Sequence, residues 1–575
     1  MSANFLYSRK NIQGLFSGFT FVLLTIFNLP FTSLAQTKPD SVHISGQILN
    51  LTGRLFREAP AVSFSRNNIL APQTEMVRNA PIQADGSFKI ALPLIFEKEE
   101  VYLDYGGKVF TTFLASPGKV EIVFNADSIF KTERLFYFSG VNADANNRYT
   151  MFLAEENKIL KENKRHGEDF QKHFWAAATP TAARRLIEER VRLRRSALDK
   201  ASQNMVPSQE LSDWVTAFTL DEQSAYMLGY TLMLNDDAET TTLEEMAGIV
   251  RNPLTLQRIE WMTAIKNYVN REIERANVNG KQKTLKVNKM AELVAKFVSP
   301  LSEEERRMLY RMANSEGGSR DDINKLTKIY ERGPGILRLI TNYETRKQAF
   351  TGDFKPVTEE FVNAMFFTDN IDLFLPQEKI QVYEHISQDI KNPVIMKSLA
   401  ELYQFSIKDT AELQRVLEMK LPDPAPTEVL RDIWMAETGE NGGQWFEKVK
   451  LQLPERPLYV SLWQLGDAIS MDEMRFANGL RDNSPEDVRF IYIHIAETDN
   501  KRQRDLWKQY IVSNNIKGIH LYMNMTQAFQ LASLVNAYDI PSYLMFRGNG
   551  RQQRNTPPPS KGLETVRFIE KAVAR

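Results

Sequence analysis

Residues 459–474 read YVSLWQLGDAISMDEM. The apolar run RPLYVSLW (456–463) enters this stretch as a strand, and MDEMRFANGL (471–480) leaves it as a helix. Between them, Ser470 and Glu473 have the S-x-x-E spacing of a capping box: the hydroxyl accepts a backbone N–H three residues on, and the carboxylate reaches back. Asp467 or Asp472 would also suit the positive end of that helix. A strand-to-helix corner of this kind is a common place for reactive side chains, yet the whole chain holds no cysteine.

The sequence around the corner alternates in the same way. VRFIYIHIA (488–496) is a β-branched and aromatic strand, NKRQRDLWKQYIVSNN a helix, GIHLYMN a short extended run and TQAFQLASLVNAY a helix. SYLMF is a strand, RGNGR (547–551) a hairpin-type turn, and KGLETVRFIEKAVA closes as a helix. This order predicts an α/β domain over 451–575 with a central sheet.

The corner resembles that of exported thioredoxin-like proteins of the TlpA/ResA type, whose form is YVDFWATWCGPCxxEM. Tyr459, Val460, Trp463, Glu473 and Met474 match by residue, with Asp467 on the first cysteine position and Ser470 on the second. Downstream, YDIPSYLMFRGNGR (538–551) is similar to the family stretch whose proline follows a cis peptide bond and faces the corner. That resemblance implies a thioredoxin-like fold and puts Ile540 and Pro541 beside the corner. It does not carry the family's reaction over. Thiol–disulfide exchange needs a thiolate to attack and a thiol to leave, and Asp467 and Ser470 supply neither. Peroxidase chemistry fails on the same ground.

The candidate site is therefore a degenerate corner of Trp463, Asp467, Ser470, Ile540 and Pro541, with binding as its expected use and no catalytic residue. Ser470 as a nucleophile would need a base. His494 and His520 are the ones in the same domain, and a capping role needs none. Pro541 reads either as an edge that pairs with extended polypeptide or as a turn the fold requires. Trp507, Tyr510, Tyr522 and Tyr538 read as core or rim aromatics. HGEDFQKH (166–173) spaces its histidines seven apart, too far to share an ion on one helix face. No metal and no cofactor are expected.

Residues 41–140 read as a small all-β antiparallel sandwich or barrel. VHISGQILN alternates, APIQADGSFKIALPL places Asp85–Gly86 between two alternating runs as for a tight hairpin, and Gly106–Gly107 and Pro117–Gly118 separate further strands. TFLASPGKVEIVFNAD (112–127) looks like the close of the small β domain, of unknown function, that many exported proteins of this group carry. Residues 145–450 change to helical spacing, for about ten helices in an all-α region. In TAARRLIEERVRLRRSALDKAS (181–202), Glu188 and Arg192 are an i,i+4 pair, and the acids among its arginines mark a solvated face rather than a nucleic-acid surface. GPG (333–335) and LPDPAPTE (421–428) mark breaks.

Seventy-two basic and seventy-two acidic residues balance, which removes net charge as an argument for nucleic acid or anionic membrane as partner. Without cysteine there are no disulfides, no thiolate ligands and no lipoprotein anchor. Arg9 and Lys10, the apolar LFSGFTFVLLTIFNLPF (15–31) and the small residues of SLA (33–35) form a secretory signal peptide over 1–35, cut near Ala35–Gln36; an uncleaved anchor is the alternative. No later segment is long and apolar enough to span a membrane. The expectation is an exported protein in the periplasm of a Gram-negative bacterium. It is expected to be a redox-inactive scaffold or module that binds envelope proteins or peptides. Two alternatives stand beside it: an envelope enzyme with non-thiol chemistry in an interdomain cleft, and a non-catalytic partner of a thiol–disulfide exchange pathway.

Overall fold

The computed structural model describes residues 41–574 apart from short segments at 108, 127–135, 203–205, 238–243, 245, 279–284, 316–317, 334, 408–409, 422 and 454. The signal-peptide reading of 1–35 lies outside the described residues. Among the described residues, no helix is long and apolar enough to cross a membrane.

Eight strands build the N-terminal region: β1 (Ser41–Leu49), β2 (Ala61–Asn68), β3 (Ala71–Pro81), β4 (Ser87–Pro93), β5 (Glu99–Tyr105), β6 (Val109–Ala115), β7 (Gly118–Asn125) and β8 (Phe136–Gly140). They form two four-stranded sheets, β4-β1-β7-β8 and β3-β2-β5-β6. Alternate residues such as Ile44, Phe64, Phe113 and Phe138 fill one core between them, which makes the region a sandwich. Phe64 meets Phe88, and Phe113 meets Phe138, across the two sheets at 6.0 and 5.6 Å between ring centroids.

Two details depart from expectation. β1 and β7 pair in parallel, so the sandwich is mixed rather than antiparallel. The Asp85–Gly86 turn forms, with Gly86 at φ +83° and its N–H on Gln83 O, but it closes no hairpin. β3 pairs with β2 and β4 with β1, so the turn carries the chain from one sheet to the other. Turn chemistry decides where the chain reverses; cross-strand packing decides which sheet the next strand joins.

Thirteen α-helices among the described residues run from Ala143 to Glu418, more than the ten expected. Their main core takes in Ile69, Leu70, Ile95 and Phe96, the loop residues at one end of the sandwich. Polar contacts lock the same join. Arg66 pairs with Glu401, and Asn68 Nδ2 donates to Ser398 O at 3.0 Å.

The C-terminal sheet has seven strands in the order β15-β14-β11-β12-β13-β10-β9. They are β9 (Thr427–Leu430), β10 (Ile433–Glu437), β11 (Leu458–Trp463), β12 (Arg489–Ala496), β13 (Gly518–Asn524), β14 (Ser542–Phe546) and β15 (Gln552–Gln553). β10 through β13 are parallel to their neighbours, while β9 and β14 run antiparallel at either side. The expected boundary at 450/451 moves: β9, β10 and the helix Gly442–Leu451 belong to this sheet and its cover, not to the helical region. The strands are short and follow a proline-rich break, so they carry little alternation for a reader of sequence to find.

Both faces of the sheet are covered. Tyr459 and Trp463 point to one face, under the helices Lys501–Ser513 and Leu563–Val573. Leu458, Val460 and Leu462 point to the other, under Gly442–Leu451 and Met525–Val535. Two-sided burial explains why β11 and β12 read as near-continuous apolar runs. Arg502 ties the sheet's helix Lys501–Ser513 to the helical region, reaching both oxygens of Glu378 at 2.9 and 2.8 Å.

Candidate functional site

The corner is built at the end of β11. Trp463 ends the strand, Gly466 takes φ +91°, and Asp467 opens the helix Ala468–Met474. Asp467 is the N-cap: its Oδ1 accepts the Ser470 N–H at 2.7 Å. Ser470 Oγ in turn accepts the Gln464 N–H at 3.2 Å, which folds the loop back on the first helical turn.

The expected Ser470–Glu473 capping box is therefore corrected. An aspartate three residues earlier takes the cap and shifts Ser470 into the helix. Glu473 is then free to accept from Ser560, from its N–H at 2.9 Å and its hydroxyl at 2.6 Å. This pair joins the corner helix to the turn that precedes the last helix.

Pro541 lies where the corner can meet it. The Ile540–Pro541 bond is cis, one of four such X–Pro bonds among the described residues. The next residue, Ser542, sits opposite Leu462 in the antiparallel register of β14 on β11. Pro541 thus borders the end of the strand that carries Trp463. Tyr543, one residue on, faces the carboxylates. Its phenol is pushed up by burial first, then by Glu473 and Asp467.

The five proposed residues divide. Asp467, Ile540 and Pro541 are half-buried, while Trp463 and Ser470 are fully buried. Trp463 packs against His494 at 4.9 Å between centroids and Tyr510 at 5.2 Å, so it is core rather than contact surface. A nucleophilic Ser470 finds no base. His494 and His520 are both buried, and burial pushes each imidazole down to about 3. His520 Nε2 is taken by Ile516 O at 2.7 Å.

Sequence reading passed over two exposed apolar residues, Ile469 and Phe529, and named Tyr538 only as a core or rim aromatic. Ile469 is 63% exposed on the corner helix. Phe529 and Tyr538 are also exposed, 6.5 Å apart between centroids. Helical periodicity could have flagged Phe529 on the outer face of Met525–Val535; nothing local marks Ile469. A groove of about 680 Å³ runs past Tyr538, Asp539, Ser542 and Tyr543 toward Arg554 and Thr556. Here β15 pairs only with Met545 and Phe546, so it leaves the first half of β14 uncovered on that side.

Among the described residues, no three His, Asp or Glu side chains are grouped to hold a metal ion. His166 is held by Glu189 at 2.9 Å.

No family model matches the chain, and no curated protein matches it. Among solved structures, the solution structure of a candidate thiol-disulfide oxidoreductase from Bacteroides vulgatus matches at 18% identity, over 21% of this chain and 78% of that one, with a TM-score of 0.18.

Proposed function

We propose that the chain is an exported, redox-inactive protein of thioredoxin-like fold whose C-terminal corner binds extended polypeptide in the cell envelope. The observation that carries this reading is the register of β14 on β11, which sets Pro541 beside an Asp467-capped corner in a protein without cysteine. The groove along β14 adds backbone groups that an extended chain could pair with, exposed Tyr538 lines it, and Ile469 is exposed on the corner helix.

The binding test is a pull-down from envelope extract with wild type, Ile469→Asp and Pro541→Ala. Ile469 is exposed, so its substitution leaves the core intact. Partners held by wild type should be lost from both variants. Equal recovery by all three would remove the corner as the binding surface.

The fold reading has its own test. Asp467 and Ser470 sit three residues apart in one helical turn, a spacing that brings two Cβ atoms within reach of a disulfide. The reduced double variant Asp467→Cys/Ser470→Cys should therefore reduce a small disulfide reporter to its two thiols, closing the 467–470 disulfide as it does. A folded but inert double variant would count against a thioredoxin-type corner.

A further inference from the structure

A cleft of about 820 Å³ opens between the helical region and the C-terminal sheet, away from the corner's residues. Its walls are the helices Pro376–Ser387, Pro393–Ser406 and Thr410–Glu418 on one side and Lys501–Ser513 on the other. That volume is in the range of a small-molecule site, and a junction of two packed units is a common place for one.

Its chemistry is two-sided. Leu375, Ile380, Tyr403, Leu413 and Leu417 make an apolar floor. Five basic and three acidic side chains also line it. Two of the three outer cations are already matched, Arg504 with Glu437 at 2.8 Å and Lys501 with Asp505 at 2.5 Å, and the third, Lys420, is exposed. The inner ones are not. Lys379 and Lys508 are only 4% and 5% exposed. Each ammonium spends one donor on a carbonyl at a helix end, Lys379 on Ser406 O at 3.3 Å and Lys508 on Met419 O at 2.8 Å. Opposing carboxylates, Asp372 for Lys379 and Glu437 and Asp505 for Lys508, act through space without a direct ion pair.

Burying two ammonium groups on neutral carbonyls is costly, and a cation capping a helix end does not have to be buried to do so. Burial holds both lysines below their ordinary pKa. An anion at either ammonium would supply the direct ion pair that these carboxylates do not make, using N–H donors that the carbonyls leave over.

We infer that this cleft binds an amphipathic anion, with a carboxylate or phosphate head on the Lys379 or the Lys508 ammonium and an apolar body along Leu413 and Leu417. The inference is independent of the corner and shares no residue with it.

Titration calorimetry on the full chain tests it, with dodecanoate, dodecyl phosphate, dodecyltrimethylammonium and inorganic phosphate as probes. The two anionic amphiphiles should bind saturably at one site, and the cationic one should not. Whichever anionic amphiphile binds more tightly identifies the head group. Of Lys379→Met and Lys508→Met, which keep side-chain length, the one that removes the head-group contact should weaken binding at least tenfold, and unchanged affinity in both would overturn the inference. Leu417→Trp, at a half-buried position, should block the apolar floor and abolish binding without touching a charge. Equal binding of the cationic amphiphile would overturn the inference, as would unchanged affinity in Leu417→Trp. Inorganic phosphate binding as tightly as dodecyl phosphate would overturn the apolar half of it.

Discussion

At the level of single residues, the corner shows how two capping signals compete. Asp467 and Ser470 each precede a helical run, and both residue types serve as N-caps. The structure selects Asp467, because Ser470 Oγ is more useful to the loop: it satisfies the Gln464 N–H, a donor next to the buried end of β11. Sequence could supply both candidates but not the loop closure that decides between them. It follows that Asp467→Ala should destabilise the C-terminal unit by about 1 kcal/mol, while Asp467→Asn, an equally good cap, should leave it nearly unchanged. Chemical denaturation of the three proteins measures this directly. If Ser470 were the cap, Asp467→Ala would be silent. The same residue scale explains why Trp463 misled. The match to a family tryptophan is a statement about the chain, and only the packing of His494 and Tyr510 shows that its ring is enclosed.

At the level of elements, the alternation of strands and helices over 451–575 was legible because each parallel strand, buried on both faces, is strongly apolar. What stayed hidden was the pair β9 and β10. Their turn places Asp432 at φ +64°, a left-handed position that aspartate tolerates but does not announce. β10 pairs with β13 over five residues, and Trp445 and Phe446 of the following helix are fully buried against the sheet. A fragment beginning at residue 451 therefore lacks the cover for Val460, Ile491 and Leu521. It should show no cooperative unfolding and should self-associate, whereas a fragment beginning at 421 should be the better folded of the two. Near-UV circular dichroism and sedimentation distinguish them. A well-folded, monomeric 451–575 would show that β9, β10 and the helix Gly442–Leu451 are an appendage rather than part of the unit.

At the level of the whole molecule, the joins between regions are made by side chains more than a hundred residues apart, which no local pattern reveals. Arg66 reaches Glu401, and Arg502 reaches Glu378. The join between sandwich and helices also buries Glu100, at 5% exposure. Its Oε1 accepts from the Trp214 indole and its Oε2 from the Leu256 N–H at 2.5 Å. Burial outweighs these donors and pushes the carboxyl up to about 7 from its ordinary 4.5. A carboxyl whose folded pKa is raised favours the folded state when protonated. That contribution is complete below pH 4.5 and is lost as pH rises through about 7. The change in stability from this group between pH 4.5 and 8 is therefore a loss, of order 3 kcal/mol. Glu100→Gln cannot ionise and should not show it, although the amide replaces one acceptor with a donor and so lowers stability throughout. Glu99, also raised by burial, is present in both proteins and drops out of the comparison. The measurement is urea unfolding of wild type and Glu100→Gln across that range. The gap between the two curves should narrow as pH rises, because only wild type must ionise a carboxyl in a closed interface. Parallel curves would mean that the interface opens enough to hydrate Glu100, and that the sandwich is held to the helices by Arg66 and the Ile69–Leu70 loop instead.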